Sequence, residues 1–484
     1  MGKNSSSTQP PPQMLGEMAK EGALSDPAVV DLDGTKSVGD ALQNGKPGDL
    51  DDVWSMISAN GHSEKPENRK KLCILSLDGG GMRGLIGSRI LCRLEAFLQE
   101  KTMARVRLCD YFDLLAGTST GALIALMLAT PDEAGEPLFT AQECCRFYAV
   151  NGRHIFQRRW YDPFHFSVRQ MYRPKYSPRR LEKLLKDYLV RDGRELTLRD
   201  TLKPVLVTAF DISQATPFFF VRQAAMKDES KNFRLWEVCR ATVAAPTYFR
   251  PAHVTSVDGK VSATLIDGAV VQNNPALVAV THAWSNNTDF PEATGLQDVM
   301  VLSLGAGQLD ERYELDAAKK WGLAGWMRPL LNIMMDGTAD TVDYQLSSAF
   351  AGYDCSDNYL RIQLSGLPKS MAYMDCASQK NIEDLTRLTD ELLMQKAVAR
   401  NAFGEKIVLE ETYEQRLSWF ADQLIEQKKL HSTSASGDRA QPKGGDSTPG
   451  HLGRLVSPVL SHLLQHQRSQ SGGRGRFDDR RCSL

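Results

Sequence analysis

One stretch, Lys71–Ala122, limits what this chain can fold into more than any other: an apolar run, a glycine-rich turn, a helical pattern and a Gly-x-Ser-x-Gly pentapeptide follow in order. Lys71-Leu72-Cys73-Ile74-Leu75-Ser76-Leu77 has strand length and stops at Asp78-Gly79-Gly80-Gly81-Met82-Arg83-Gly84. Glycines there let the backbone enter conformations that a side chain would forbid, which leaves N–H groups exposed. Leu85, Ile86, Ile90, Leu91, Leu94, Phe97 and Leu98 then recur at helical spacing. The exposed N–H groups therefore sit at a helix N-terminus, where the dipole favours negative charge. The turn is suited to holding an anion.

Gly117-Thr118-Ser119-Thr120-Gly121 lies between the apolar segment Tyr111–Ala116 and the apolar Ala122–Leu128. Strand, tight turn and helix in that order are the setting of a nucleophile elbow, with Ser119 as candidate nucleophile. The pentapeptide alone recurs by chance, so it gains meaning from the glycine turn upstream.

Further apolar segments alternate between strand-like (Pro204–Phe210, Ala263–Ile266, Val299–Leu304) and helix-like (Phe233–Ala245). That alternation predicts an α/β chain, one doubly wound domain with a parallel sheet. Helical stretches are expected from Asp384 to about Val398 and over Glu411–Lys428, padding the sheet. The organisation expected is a disordered segment over 1–65 with a short helix near Asp51–Ala59, a catalytic domain over 66–430 and a largely disordered tail over 431–484. In that tail Leu452, Leu455, Val456, Val459, Leu460, Leu463 and Leu464 share one helical face, either docking on the chain's own domain or meeting a partner or membrane.

With 58 basic and 59 acidic residues among 484, no global field draws the chain to nucleic acid or an anionic membrane. Nine cysteines without paired spacing argue against a disulfide framework and a zinc site, and adjacent Cys144-Cys145 reads as helix packing. No leader and no apolar run of membrane-spanning length stand out, so a soluble cytoplasmic protein is expected. Met1-Gly2-Lys3-Asn4-Ser5-Ser6 fits the N-myristoylation pattern, making Gly2 a candidate lipid acceptor; one such chain gives only reversible membrane contact.

A serine hydroxyl needs a base within hydrogen-bond reach. Asp267, in Leu265-Ile266-Asp267-Gly268-Ala269, ends a predicted strand before a glycine turn, where a parallel sheet presents functional residues. A triad histidine is the alternative: His253 and His282 lie near strand-like segments, His154 and His165 in a basic aromatic stretch, the others in the tails. None has a distinctive setting.

Asp-Gly-Gly-Gly-Met-Arg-Gly at 78–84, Gly-Thr-Ser-Thr-Gly at 117–121, Ala-Ala-Pro-Thr-Tyr-Phe at 244–249 and Asp-Gly-Ala-Val-Val-Gln-Asn-Asn-Pro at 267–275 resemble the patatin family of lipid acyl hydrolases, its plant branch most closely. The resemblance covers roughly residues 72–307. It implies a patatin-like three-layer α/β/α fold around a mostly parallel sheet. It also implies a Ser-Asp dyad of Ser119 and Asp267 with no catalytic histidine. Gly79, Gly80 and Gly81 would form the oxyanion hole, with Arg83 adding positive potential or fixing the loop, and Asp78 would brace the turn. Gly117, Gly121 and Gly268 belong to the motifs. Where the family carries a second glycine after the elbow, this chain has Ala122. Some similar plant members have an altered serine motif; here Ser119 is intact.

The implied activity is hydrolysis of acyl esters of phospholipids or galactolipids through an acyl-serine, with no cofactor and no metal, calcium included. The alternative is a catalytically silent lipid-binding or regulatory protein. Between Arg153 and Arg180 stand eight basic residues, one acid (Asp162) and seven large aromatics, including Trp160, Phe164, Phe166, Tyr172 and Tyr176. Such a mixture suits a membrane surface, with aromatics at headgroup depth and arginines toward phosphate. No nucleic-acid motif accompanies it.

Overall fold

The computed structural model describes residues 69–157, 173–309, 313–368, 370–371, 373–401 and 403–437. Gly2, the 1–65 segment with its expected Asp51–Ala59 helix, residues 158–172 of the basic aromatic stretch, and the Leu452–Leu464 island lie outside them.

The centre is an eight-stranded mixed sheet of β1 (Leu72–Leu77), β2 (Leu114–Thr118), β3 (Val205–Asp211), β4 (Thr216–Val221), β5 (Ala252–Thr255), β6 (Ser262–Asp267), β7 (Val299–Leu304) and β8 (Tyr359–Ile362). Its order is β8-β7-β1-β2-β3-β6-β5, with β4 also paired to β3. From β8 through β3 all pairings are parallel. β1 shows why: its residues are buried throughout, as a central strand covered on both faces requires. Cys73, Leu75 and Leu77 face one apolar layer and Leu72 and Ile74 the other, following the two-residue period of a strand.

On the first face lie α1 (Gly84–Thr102), α2 (Thr120–Leu128), α3 (Ala141–Ile155), α4 (Arg179–Leu189) and α5 (Leu235–Thr242). The second face carries α6 (Ala276–Ser285) and α7 (Leu323–Gly352). Two further helices, α8 (Gln379–Leu393) and α9 (Tyr413–Gly437), pack on α1 from the first face. The result is the three-layer α/β/α arrangement. α2 is buried along its whole length, so its nine residues carry no polar face.

The strand ending in Asp267 departs from the parallel expectation. β6 runs antiparallel to β3, pairing Ala209 with Asp267, whereas β2 runs parallel to β3 and pairs Thr118 with Thr208. β4 covers Leu206–Asp211 of β3, so β2 and β6 must share the opposite edge and meet there end to end. That meeting brings two C-terminal strand ends together.

Two helix boundaries also move. α8 begins at Gln379, capped by Ser378, and ends at Leu393; residues 396–398 instead enter β9 (Lys396–Arg400), which pairs antiparallel with β10 (Lys406–Thr412). Glu411 belongs to β10, and α9 continues to Gly437, so residues 431–437 are helical. Hairpin pairing overrides the helical propensity of Lys396–Val398. Cys144 and Cys145 lie in α3, Cys144 in the core. Tyr176, expected at a headgroup interface, is buried against Phe156 and Phe249, and neighbouring Lys175 pairs with Asp375.

Candidate active site

Ser119 follows the last residue of β2 and caps α2 with φ +52° and ψ −123°. A non-glycine residue in that region is strained, and the cost is met only where the surroundings hold it. Here two glycines do so. A Cβ at Gly117 would lie 2.4 Å from the Ala122 Cα, and one at Gly121 would lie 2.2 Å from the Leu77 carbonyl oxygen. The Ser119 N–H donates to the Thr242 Oγ1 at 2.8 Å, and that hydroxyl donates to the Thr208 carbonyl at 2.7 Å, tying the elbow to α5 and β3.

The strand ends meeting along β3 place Asp267 opposite. The Ser119 hydroxyl donates to Asp267 Oδ2 at 2.6 Å, and the Ala269 N–H donates to Oδ1 at 2.9 Å. Gly268 permits this approach, because a Cβ there would sit 2.3 Å from the Thr208 Oγ1. Asp267 is 3% exposed. Burial pushes its carboxyl up to about 7, against the opposing pull of the two hydrogen bonds. A carboxylate titrating there can accept a proton near neutral pH, which an ordinary aspartate does poorly.

The glycine turn divides its N–H groups unevenly. Gly79 donates to the Asn273 carbonyl at 3.2 Å and Gly80 to the Thr120 Oγ1 at 3.2 Å, so two of the three expected donors are already engaged. Gly81, at φ +62°, keeps its N–H without an acceptor among the described residues. So does Thr120, at the first position of α2, where no intrahelical acceptor exists. Both line the pocket that opens on Ser119. Arg83 points away from it: Nε donates to the Gly80 carbonyl at 3.4 Å and a terminal nitrogen to the Gly307 carbonyl at 3.0 Å, and burial lowers its titration. Its visible contacts fix the loop. Asp78 anchors the turn through a bidentate pair with Arg361 of β8, at 3.0 and 2.6 Å, with burial raising the carboxyl and Arg361 opposing that rise.

The pocket is walled by Phe147, Tyr148 and Ile155 of α3, Leu181 of α4, and Tyr248 and Phe249. A wall of that chemistry accepts an aliphatic chain. His253 is exposed on β5 beside Thr264, and half-buried His282 meets Phe290 edge to face; neither contacts Ser119 or Asp267. Among the described residues no group of histidine, cysteine or acidic side chains could hold a metal ion, and no helix is long and apolar enough to cross a membrane.

Sequence reasoning missed Thr120, Thr242, Arg361 and the pocket wall. Thr120 had a signal, since the N–H after an elbow serine commonly faces the reacting carbonyl, and Tyr248 and Phe249 of the wall lie in the 244–249 motif. Arg361 and the rest of the wall come from segments remote in sequence.

A family model described as "Patatin-like phospholipase" matches residues 75–280. Patatin-like protein 6 of Arabidopsis thaliana is 37% identical over 383 residues, covering 78% of this chain and 76% of its own. Patatin-T5 of Solanum tuberosum is 32% identical over 394 residues, 79% of this chain and 97% of its own. A third relative, 35% identical over 74% of this chain and 88% of its own, is named "Probable inactive patatin-like protein 9" of Arabidopsis thaliana.

Proposed function

Because the chain belongs to the patatin-like phospholipase family, we propose that it is a lipid acyl hydrolase in which Ser119 and Asp267 act as a catalytic dyad on fatty-acyl esters of phospholipids or galactolipids. The observation that carries this reading is the 2.6 Å hydrogen bond from the Ser119 hydroxyl to a buried carboxylate at the floor of an apolar pocket.

In the first step Asp267 Oδ2 takes the Ser119 proton while Oγ attacks the acyl carbonyl carbon. The developing oxyanion accepts from the Gly81 and Thr120 N–H groups, donors on the pocket side with no acceptor among the described residues. Collapse expels the lipid alkoxide, which Asp267 protonates, leaving an acyl-serine. Asp267 then deprotonates a water that attacks this ester, and the fatty acid departs as Ser119 recovers its proton. Burial serves both halves of the cycle, since a carboxyl near 7 both accepts and returns a proton readily at neutral pH. The α3 and α4 side chains would hold the acyl chain, and the headgroup would remain toward the mouth. Membrane lipids are the proposed partners, met by peripheral contact.

The test is acyl release from a mixed panel of phospholipids and galactolipids, together with labelling by a fluorophosphonate. Ser119→Ala is expected to abolish release and labelling, and Asp267→Asn to abolish release, whereas His282→Ala retains both. Loss of activity in a folded His282→Ala protein would point to a Ser-His-Asp arrangement instead. An unlabelled wild-type protein would favour a catalytically silent lipid-binding or regulatory role; one relative is named "Probable inactive".

A further inference from the structure

Helices α1 and α3 cross antiparallel beside the glycine turn. At one end Gly84 lies against Tyr148, so that a Cβ on the glycine would sit 3.1 Å from the tyrosine ring. At the other, the Ala141 N–H donates to the Glu95 Oε2 at 3.1 Å. Residues 88, 92 and 95 share a face of α1, and 141, 145 and 148 share a face of α3. Between the two anchor points Ser88 and Cys92 therefore oppose Cys145. The two thiols face each other across the helix pair and influence each other's titration, with Ser88 beside Cys145.

Both thiols are half-buried, in contrast with Cys73, Cys109, Cys144 and Cys239, which are enclosed. Arg89 stands on the solvent side, 41% exposed and paired with Asp390 at 2.8 and 3.0 Å. Cys92 and Cys145, like Cys355 and Cys376, are more accessible to a small oxidant than the enclosed cysteines.

We infer that Cys92 and Cys145 form a modification site, oxidised by hydrogen peroxide to a disulfide that staples α1 to α3. Cys145 is the reacting sulfur. The neighbouring Cys92 thiol, with help from Ser88 and Arg89 and against burial, draws the Cys145 thiol down to about 7, while the same pairing holds Cys92 protonated. The Cys145 thiolate attacks one peroxide oxygen, the O–O bond breaks, and the departing hydroxide takes up a proton as water, leaving a sulfenic acid. The Cys92 sulfur then attacks the sulfenic sulfur, the S–O bond breaks, and the hydroxyl leaves with the Cys92 proton as a second water. Two thiols and one peroxide become one disulfide and two waters.

The staple joins the helix that begins at the glycine turn to the helix that walls the pocket with Phe147, Tyr148 and Ile155. It also closes a loop in the unfolded chain and so lowers its entropy. This inference does not depend on the hydrolase reading.

The test treats the full chain with hydrogen peroxide, alkylates the remaining thiols and maps the peptides by mass spectrometry. The expected product is one intramolecular Cys92–Cys145 link with two hydrogens lost, reversed by dithiothreitol, and a thermal midpoint several degrees above that of the reduced protein. Cys92→Ser and Cys145→Ser each remove the link and the midpoint difference, and Cys92→Ser leaves a sulfenic acid at 145 that dimedone traps. Cys144→Ser keeps the link. The inference is overturned if both thiols remain alkylatable, if the link joins Cys144 or a second chain, or if Cys145 proceeds to sulfinic acid with Cys92 free. The wild-type peptide map decides the linkage, so a variant that fails to fold leaves the test standing.

Discussion

Asp267 carries one hydrogen bond on each carboxylate oxygen and is enclosed, and enclosure is the larger influence on its titration. In the proposed role it must be ionised to take the Ser119 proton. Acyl release under kcat/KM conditions is therefore expected to rise with pH through about 7 and fall away below it; a profile flat from pH 5 to 8 would contradict the assignment. The same shift has a stability consequence of definite sign. The folded state holds this proton up to about 7, whereas the unfolded chain releases it near 3.8, so the native state binds more protons between those values. Its contribution to stability is full below about 3.8 and is lost as pH rises toward 7. Asp267→Asn, which carries no charge, should gain thermal stability relative to wild type at pH 8 compared with pH 5, as paired melting curves would register. Ser119 was legible as a residue because its neighbours must be small for the backbone to reach φ +52°, a local requirement written into Gly-x-Ser-x-Gly. The raised Asp267 titration was not, since it depends on what encloses the carboxylate.

At the scale of elements, the site exists because β2 and β6 end head to head on one edge of β3. Gly268 guards that junction: a Cβ would lie 2.6 Å from the Thr208 carbonyl carbon, and backbone cannot yield as a side-chain tip can. Gly268→Ala is expected to displace Asp267 and lower acyl release by about 10²-fold, with the fluorophosphonate labelling rate falling alongside. The glycine turn is held from the other side of the sheet by Arg361 on β8. Removing one partner of a buried pair leaves an uncompensated charge and costs about 3–5 kcal/mol. Arg361→Met should show that loss in denaturant unfolding, and Arg361→Met with Asp78→Asn should recover much of it. If the single variant unfolds like wild type, the anchor is unimportant. The helix and strand around the turn were readable from periodicity. The antiparallel direction of β6 was not, because a short apolar run looks the same in either direction and only its pairing with β3 and β5 decides.

At the scale of the whole molecule, the first and last helices among the described residues close on each other. α9 buries Leu417, Phe420, Ala421 and Leu424 in the layer that α1 fills, and the Lys71 N–H donates to the Gln427 Oε1 at 2.7 Å just before β1. Arg93–Glu414 and Lys101–Asp422, each at 2.8 Å, line the same contact. Phe420 is wholly enclosed, so Phe420→Ala is expected to cost about 3–5 kcal/mol by denaturant unfolding; a change below 1 kcal/mol would mean that α9 is not part of the cooperative core. By itself the sequence determined the local devices: the strand, the glycine turn, the elbow serine and the helices that follow. Their signals are backbone permissiveness and apolar period, which act within a few residues. Only the tertiary structure decided which N–H groups stay free, which residue reaches Ser119, what anchors Asp78 and which cysteines meet. Each of those is a contact between segments brought together by sheet register and helix crossing. The Lys71–Ala122 stretch thus specifies its own turns, while Asp267 reaches it through pairing with β3.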